Sequence, residues 1–178
     1  MGDRHRIRFA KPEDLDALVE LGRSTFAETF GHLYPPEDLA DFLDEAHDAE
    51  IYGWAIHDDR HAVWLAEADG EPAGYALVGP CTLPHPEATP AEGELKRLYV
   101  RRSAQNGGLG RALLAVSMEW LQRNGPARLW VGVWSENHGA QRLYARHGFE
   151  PVGEYEFPVG RVRDREFILR REPVRLTA

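Results

Sequence analysis

Cysteine is almost absent from this chain. Cys81 is the only one, so an internal disulfide, a thiol redox pair and a cysteine-rich zinc site are excluded. It closes the apolar run from Gly74 to Gly79 and has no recognisable histidine partner motif, so a nucleophilic role has no support in the sequence. No apolar run approaches the roughly 20 residues of a membrane span. The start Met1-Gly2-Asp3-Arg4-His5-Arg6 lacks the apolar core of a signal peptide. A cytoplasmic location away from any membrane is the resulting expectation. Positive charge is also short: the formal net charge is −8, which argues against a nucleic-acid surface built from clustered Lys and Arg and favours cationic partners.

The 178 residues suit one domain, 1–178, with one sizeable core. Ile7-Arg8-Phe9 alternates as a short strand. Pro12-Glu13-Asp14 then opens a helix with Leu15, Leu18, Leu21 and Phe26 at helical spacing, ending near Gly31. A second helix is expected after Pro35-Pro36, with Leu39, Phe42, Leu43 and Ala46 buried and an acidic face running from 37 to 50. Runs 61–68 and 72–78 are β-rich and flank Asp69-Gly70-Glu71, a hairpin signal. A proline-rich loop fills 80–93. A strand at 94–101, helix at 110–124, strand at 128–134, helix at 136–147 and a closing hairpin of 150–159 with 163–170 follow. This order predicts an α/β fold with a mixed sheet covered by helices. His57 and His61 stand in the polar turn Ile56-His57-Asp58-Asp59-Arg60-His61, which predicts a surface pair and no metal site.

Between the strand at 94–101 and the next helix lies Gln105-Asn106-Gly107-Gly108-Leu109-Gly110-Arg111. Glycines without Cβ atoms allow positive φ and close approach of a ligand to the backbone. From Gly110 onward, Leu113, Val116 and Trp120 recur at helical spacing, so the loop delivers its N–H groups to a helix N-terminus. That end has unpaired donors and the positive pole of the helix dipole, which stabilise a phosphate; Arg111 adds a full charge. The P-loop pattern fails, because Arg111 and Ala112 follow the last glycine, and the G-x-G-x-x-G spacing is missing. What stands there is Q-x-x-G-x-G.

On Gln105, Gly108 and Gly110, and on the downstream run W-S-E-N-x-x-A-x-x-L-Y-x-x-x-G-F ending at Phe149, the chain resembles the GNAT (Gcn5-related N-acetyltransferase) superfamily. The two matches span about 94 to 149. The resemblance implies the acyl-CoA N-acyltransferase fold, a central mixed, mostly antiparallel sheet flanked by helices and splayed between the strands at 94–101 and 128–134. It also implies acetyl-CoA as cofactor, held by Leu98, Tyr99, Val100, Gln105, Asn106, Gly107, Gly108, Leu109, Gly110 and Arg111, with Asn137, Ala140 and Tyr144 along the pantetheine arm. Asn137 has a competing use as a helix cap. Strands after 150 pair between subunits in such proteins, which implies a homodimer.

Acetyl transfer to an amine needs a base for the ammonium, a donor for the oxyanion and an acid for the thiolate. The resemblance places Glu94 as the general base, direct or through water, and Tyr144 as the acid; the amide of Leu98 or a neighbour is the oxyanion donor. Glu37, Asp41, Asp44 and Asp48 follow helical spacing as one negative stripe, with no Lys or Arg between 37 and 50. Thr25-Phe26, Thr29-Phe30, Tyr34, Glu37-Asp38-Leu39, Phe157-x-Val159-Gly160 and Asp164 resemble the PaiA-type spermidine/spermine acetyltransferase branch. Phe30, Tyr34, Glu37 and Asp41 are the substrate-binding residues expected on that basis, and the acceptor a small-molecule amine, a polyamine foremost. A protein N-acetyltransferase acting on a terminus or lysine, and a non-catalytic acyl-CoA-binding regulator, are the competing readings.

Overall fold

The computed structural model describes residues 5–125 and 127–173. Chain order is β1 (His5–Phe9), α1 (Leu15–Phe30), α2 (Pro36–Ala46), α3 (Ala49–His57), β2 (Ala62–Ala68), β3 (Glu71–Pro80), β4 (Gly93–Val100), α4 (Leu109–Leu121), β5 (Leu129–Trp134), α5 (His138–Arg146), β6 (Glu150–Val159) and β7 (Val162–Arg171). The strands form one seven-stranded sheet in the order β1-β2-β3-β4-β5-β7-β6. Every neighbouring pair is antiparallel except β4 with β5, which α4 joins as a parallel crossover. The mixed, mostly antiparallel sheet expected from the sequence is therefore present.

Side-chain alternation sorts the core into two layers. On β2, Trp64 and Ala66 face α4 and pack with Leu113, Leu114 and Val131; Val63 and Leu65 face α1 and α3 and pack with Leu18, Leu21 and Tyr52. Because both faces are covered, β2 reads as an unbroken apolar run rather than an alternating one. Asp69 and Gly70 both take positive φ, 51° and 87°, the type I′ geometry that Asp-Gly signals between β2 and β3.

The expected helix over 37–50 is two helices. Asp48 is not part of an acidic face: its Oδ1 accepts from the Glu50 N–H at 2.8 Å and caps α3, so the chain breaks at His47 and restarts. An N-cap aspartate inside an acidic run has the pattern of one more face residue, so the break before α3 leaves no mark in the sequence.

The last turn ties the ends together. Gly160 has φ 55°, and a Cβ there would stand 2.4 Å from Asp38 Oδ1. Asp38 in turn accepts from the Arg161 guanidinium at 3.1 Å, fixing α2 against the β6–β7 hairpin.

Candidate active site

β4 and β5 pair only at Gly93↔Leu129, Glu94↔Trp130 and Leu95↔Val131. Past that point β4 keeps pairing with β3 as far as Val100, with a register shift that leaves Lys96 as a bulge. The β5-facing edge of residues 96–100, which includes Leu98, Tyr99 and Val100, is thus left open where the strands part.

At the end of β4 the chain makes the glycine loop. The Gln105 side-chain amide donates to the Val100 carbonyl at 3.0 Å, so it braces the turn. Asn106 and Gly108 take positive φ, 65° and 87°, and Leu109 is buried as the anchor while 105–108 are exposed. α4 starts at Leu109, one residue before the expected start, and ends at Leu121. Its first internal acceptor is the Gly108 carbonyl, bonded by Ala112, which leaves the N–H groups of Leu109, Gly110 and Arg111 without helical partners. At Gly107 a Cβ would lie 3.1 Å from the exposed His5 ring.

A cleft of about 670 Å³ opens at the parting of β4 and β5. Asn137, Ala140 and Tyr144 line one end. Asn137 caps α5, its Oδ1 accepting from the Ala140 N–H at 3.1 Å, so of the two competing uses the cap is in place and the side-chain NH₂ is left over. Tyr144 is buried, which raises its phenol well above the ordinary value, and its hydroxyl bonds to no other described residue. It is therefore a neutral O–H donor without a partner.

Glu94 also lines the cleft and is buried. Its Oε2 accepts from Thr82 N–H at 2.8 Å and Thr82 Oγ1 at 3.2 Å, and holds Lys96 Nζ at 2.9 Å. Cys81, next to Thr82, is buried and its thiol is pushed up to about 11, so it stays protonated.

The far wall is aromatic. Phe26 packs against Phe30 at 4.8 Å and Phe42 at 4.7 Å between ring centroids; Trp134 meets Phe30 edge-on at 5.5 Å, and Phe157 meets Phe42 at 5.8 Å. Two carboxylates from β7 stand among these rings. Asp164 accepts from the Tyr34 hydroxyl, and Glu166 accepts from the Tyr155 hydroxyl at 2.6 Å. Neither has a cationic partner within ion-pair distance among the described residues. Being two apart on one strand, they share a face about 7 Å from each other.

Phe30 and Tyr34 thus line the cleft as expected, whereas Glu37 and Asp41 do not: both are exposed on the outer side of α2, where Asp44 pairs with Arg23 at 2.8 Å. The negative stripe is a solvated face. His61 also departs from expectation, since it packs over Gly79, bonds Asp58 at 2.5 Å and lines the cleft. Also in the lining of the cleft, Arg97 donates to Tyr52 Oη at 3.0 Å and to His47 Nδ1 at 3.3 Å, which fixes a neutral acceptor nitrogen on His47.

Residues 21–149 match the model of the Acetyltransferase (GNAT) family. An uncharacterized N-acetyltransferase of Lactobacillus delbrueckii subsp. lactis is 33% identical over 159 residues, 89% of this chain and 92% of that one. The mycothiol acetyltransferase of Beutenbergia cavernae is 36% identical over 151 residues, 85% of this chain and 46% of that longer protein. Among solved structures, the PaiA N-acetyltransferase of Thermoplasma acidophilum in complex with coenzyme A superposes with a TM-score of 0.76 at 20% identity, covering 97% of this chain and 99% of that one. The ribosomal-protein-S18-alanine N-acetyltransferase of Escherichia coli gives a TM-score of 0.70, also at 20% identity, covering 97% and 96%. The same fold accordingly serves neighbours with different names, and the fold alone does not select an acceptor.

Proposed function

Because the chain belongs to the acetyltransferase (GNAT) family, we propose that it moves an acetyl group from acetyl-CoA to a primary amine by direct attack, and that the amine is a cationic small molecule of the polyamine kind. The unpaired N–H groups of Leu109, Gly110 and Arg111, beside the left-handed Gly108, suit a pyrophosphate. The open edge of β4 suits the amide-bearing pantetheine arm, which docks as an added strand does, and the Asn137 NH₂ is available to it. Tyr144 protonates the departing thiolate. Glu94, at the start of β4, is the base implied by the family, with Oε1 the oxygen free of Lys96 and Thr82.

The observation that carries the acceptor class is the aromatic wall holding Asp164 and Glu166 without a cation. A positive nitrogen is stabilised over aromatic faces and by a carboxylate together, and two carboxylates on one face suit an acceptor with two positive centres. With Glu94 and Tyr144 both buried at the splay, a purely regulatory acyl-CoA-binding role is the weaker reading.

The test is CoA release with spermidine, a monoamine of similar length and a peptide with a free α-amine. Spermidine should give the highest kcat/KM, falling with ionic strength. Asp164→Asn should narrow its lead, while Asp41→Asn, on the outer face, should not. Equal turnover of all amines, insensitive to salt, would sink the polyamine assignment, and a peptide preference would move the acceptor to a protein terminus.

A further inference from the structure

The cleft contains a second carboxylate that competes with Glu94 for the acceptor's proton. Glu166 lies on β7 between Trp134 of β5 and Tyr155 of β6. The residue of β5 that stands clear of it is Gly132, where a Cβ would sit 2.9 Å from Tyr155 Oη and 3.2 Å from Glu166 Oε2. Glycine inside a strand marks a place where another group comes close, and here that group is this hydrogen-bonded pair. Gly132 is also the first residue of β5 beyond the last β4–β5 pair, Leu95↔Val131. The Glu166 carboxylate is therefore held at the point where the strands part.

The two carboxylates differ in what already occupies them. Glu94 Oε2 carries the Lys96 ammonium and two donors of Thr82, so its charge is compensated. Glu166 Oε2 takes one phenol, and its Oε1 has no hydrogen bond to a described residue. The groups around Glu166 are Tyr155 on β6, Asp164 on its own strand, Tyr34 after α1, Tyr99 on β4 and Tyr144 on α5. All but Asp164 are phenols, raised by burial and by the charge of Glu166 among others, and no cation among the described residues lies within ion-pair distance of Glu166.

We propose that Glu166 takes the proton from the acceptor ammonium through Oε1, with Tyr155 and Gly132 as positioning residues that hold Oε2 at the splay. This inference rests on the amine-acetyltransferase reading above and deepens it by assigning the base to Glu166 in place of Glu94. The ammonium N–H breaks and its proton goes to Glu166. The freed nitrogen pair bonds to the thioester carbonyl carbon; the C–S bond then breaks, and its electron pair goes to sulfur, which takes the Tyr144 phenol proton. The nitrogen's second proton restores the Tyr144 phenol, and the Glu166 proton leaves to solvent. One proton is released per turnover. Burial, with Asp164 beside it, raises the Glu166 carboxyl above its ordinary value, against the lowering effect of the Tyr155 bond, which strengthens it as a base.

The experiment is kcat/KM against pH for the wild type, Glu166→Gln, Glu94→Gln and Tyr155→Phe, using the amine that the wild type turns over fastest, with CoA affinity by calorimetry as the fold control. Glu166→Gln should lower kcat/KM by about 10²–10³-fold at unchanged CoA affinity and abolish the acid limb of the profile. Tyr155→Phe should move that limb to higher pH, because it removes the bond that lowers the Glu166 carboxyl. Glu166→Gln activity within about threefold of wild type, set against that expected loss, or an acid limb that disappears only in Glu94→Gln, overturns the proposal. Should Glu166→Gln fail to fold, an unmoved limb in Tyr155→Phe overturns it equally. A wild type that acetylates no amine would instead overturn the reading on which it rests.

Discussion

Tyr34, just after α1, and Asp164, on the last strand, are 130 residues apart in the chain and share a hydrogen bond in the wall of the cleft. Tyr34 is 8% exposed, so the bond is made largely out of water, where an orphaned partner costs about 1–3 kcal/mol. Tyr34→Phe should therefore lower stability by about that amount in urea unfolding. It should also raise the KM of the acceptor while leaving CoA affinity alone, since the Asp164 carboxylate loses the donor that aims it. An acceptor KM equal to wild type would separate Asp164 from substrate binding.

The glycine loop makes its own demand on backbone shape. Gly108 has φ 87° and open space where a Cβ would point, so its glycine is needed for conformation rather than clearance. Gly108→Val should strain the loop, turn the first N–H groups of α4 out of line and weaken CoA at least tenfold by calorimetry, an energy of about 1.4 kcal/mol. Retained CoA affinity would show that the phosphates bind elsewhere.

Tyr144→Phe removes one of the two phenols in the cleft, the other being Tyr99, that lack a hydrogen-bond partner among the described residues. Its kcat should fall by about 10²–10⁴-fold, the range for one general acid, with CoA binding kept. Unchanged kcat would pass the thiolate's proton to solvent.

His47 gives the protein a pH dependence of stability. Burial, then the charges of Arg97 and Arg23, push its pKa down to about 3, while an unfolded histidine titrates near about 6.5. Between those values the unfolded chain takes a proton that the folded one refuses. Stability is thus full above about pH 6.5 and falls by ~1.4 kcal/mol per pH unit on the way down to about 3. Urea midpoints at pH 7, 6 and 5 should show this slope in wild type and a flatter one in His47→Gln. Parallel slopes would assign the acid loss to carboxylates such as Asp14, which Arg8 holds below its ordinary range.

Much of the frame was legible in the sequence because local chemistry dictated it. Asp69-Gly70 could only be a tight turn, and Gly107-Gly108 before an amphipathic run could only feed a helix start. The acceptor side was less legible. Asp164 stands out in the sequence only through the PaiA resemblance and Glu166 not at all, because both sit between arginines and other charged residues; what turns them inward is their pairing with Tyr34 and Tyr155, from distant parts of the chain. The reverse error on α2 has the same origin, since Glu37 and Asp41 have the right charge and spacing but the helix turns them to water.

Three residue pairs are all that join β4 to β5, and this short seam divides the chemistry between two halves of the chain. The half before the seam carries the turn proposed for the phosphates and Glu94; the half after it carries Tyr144, Asp164 and Glu166. On the proposed mechanism neither half completes a turnover alone. Each can, however, change on its own side, so replacing side chains on the β6–β7 hairpin offers a way to retune which amine is accepted while the donor's grip on the first half stays intact.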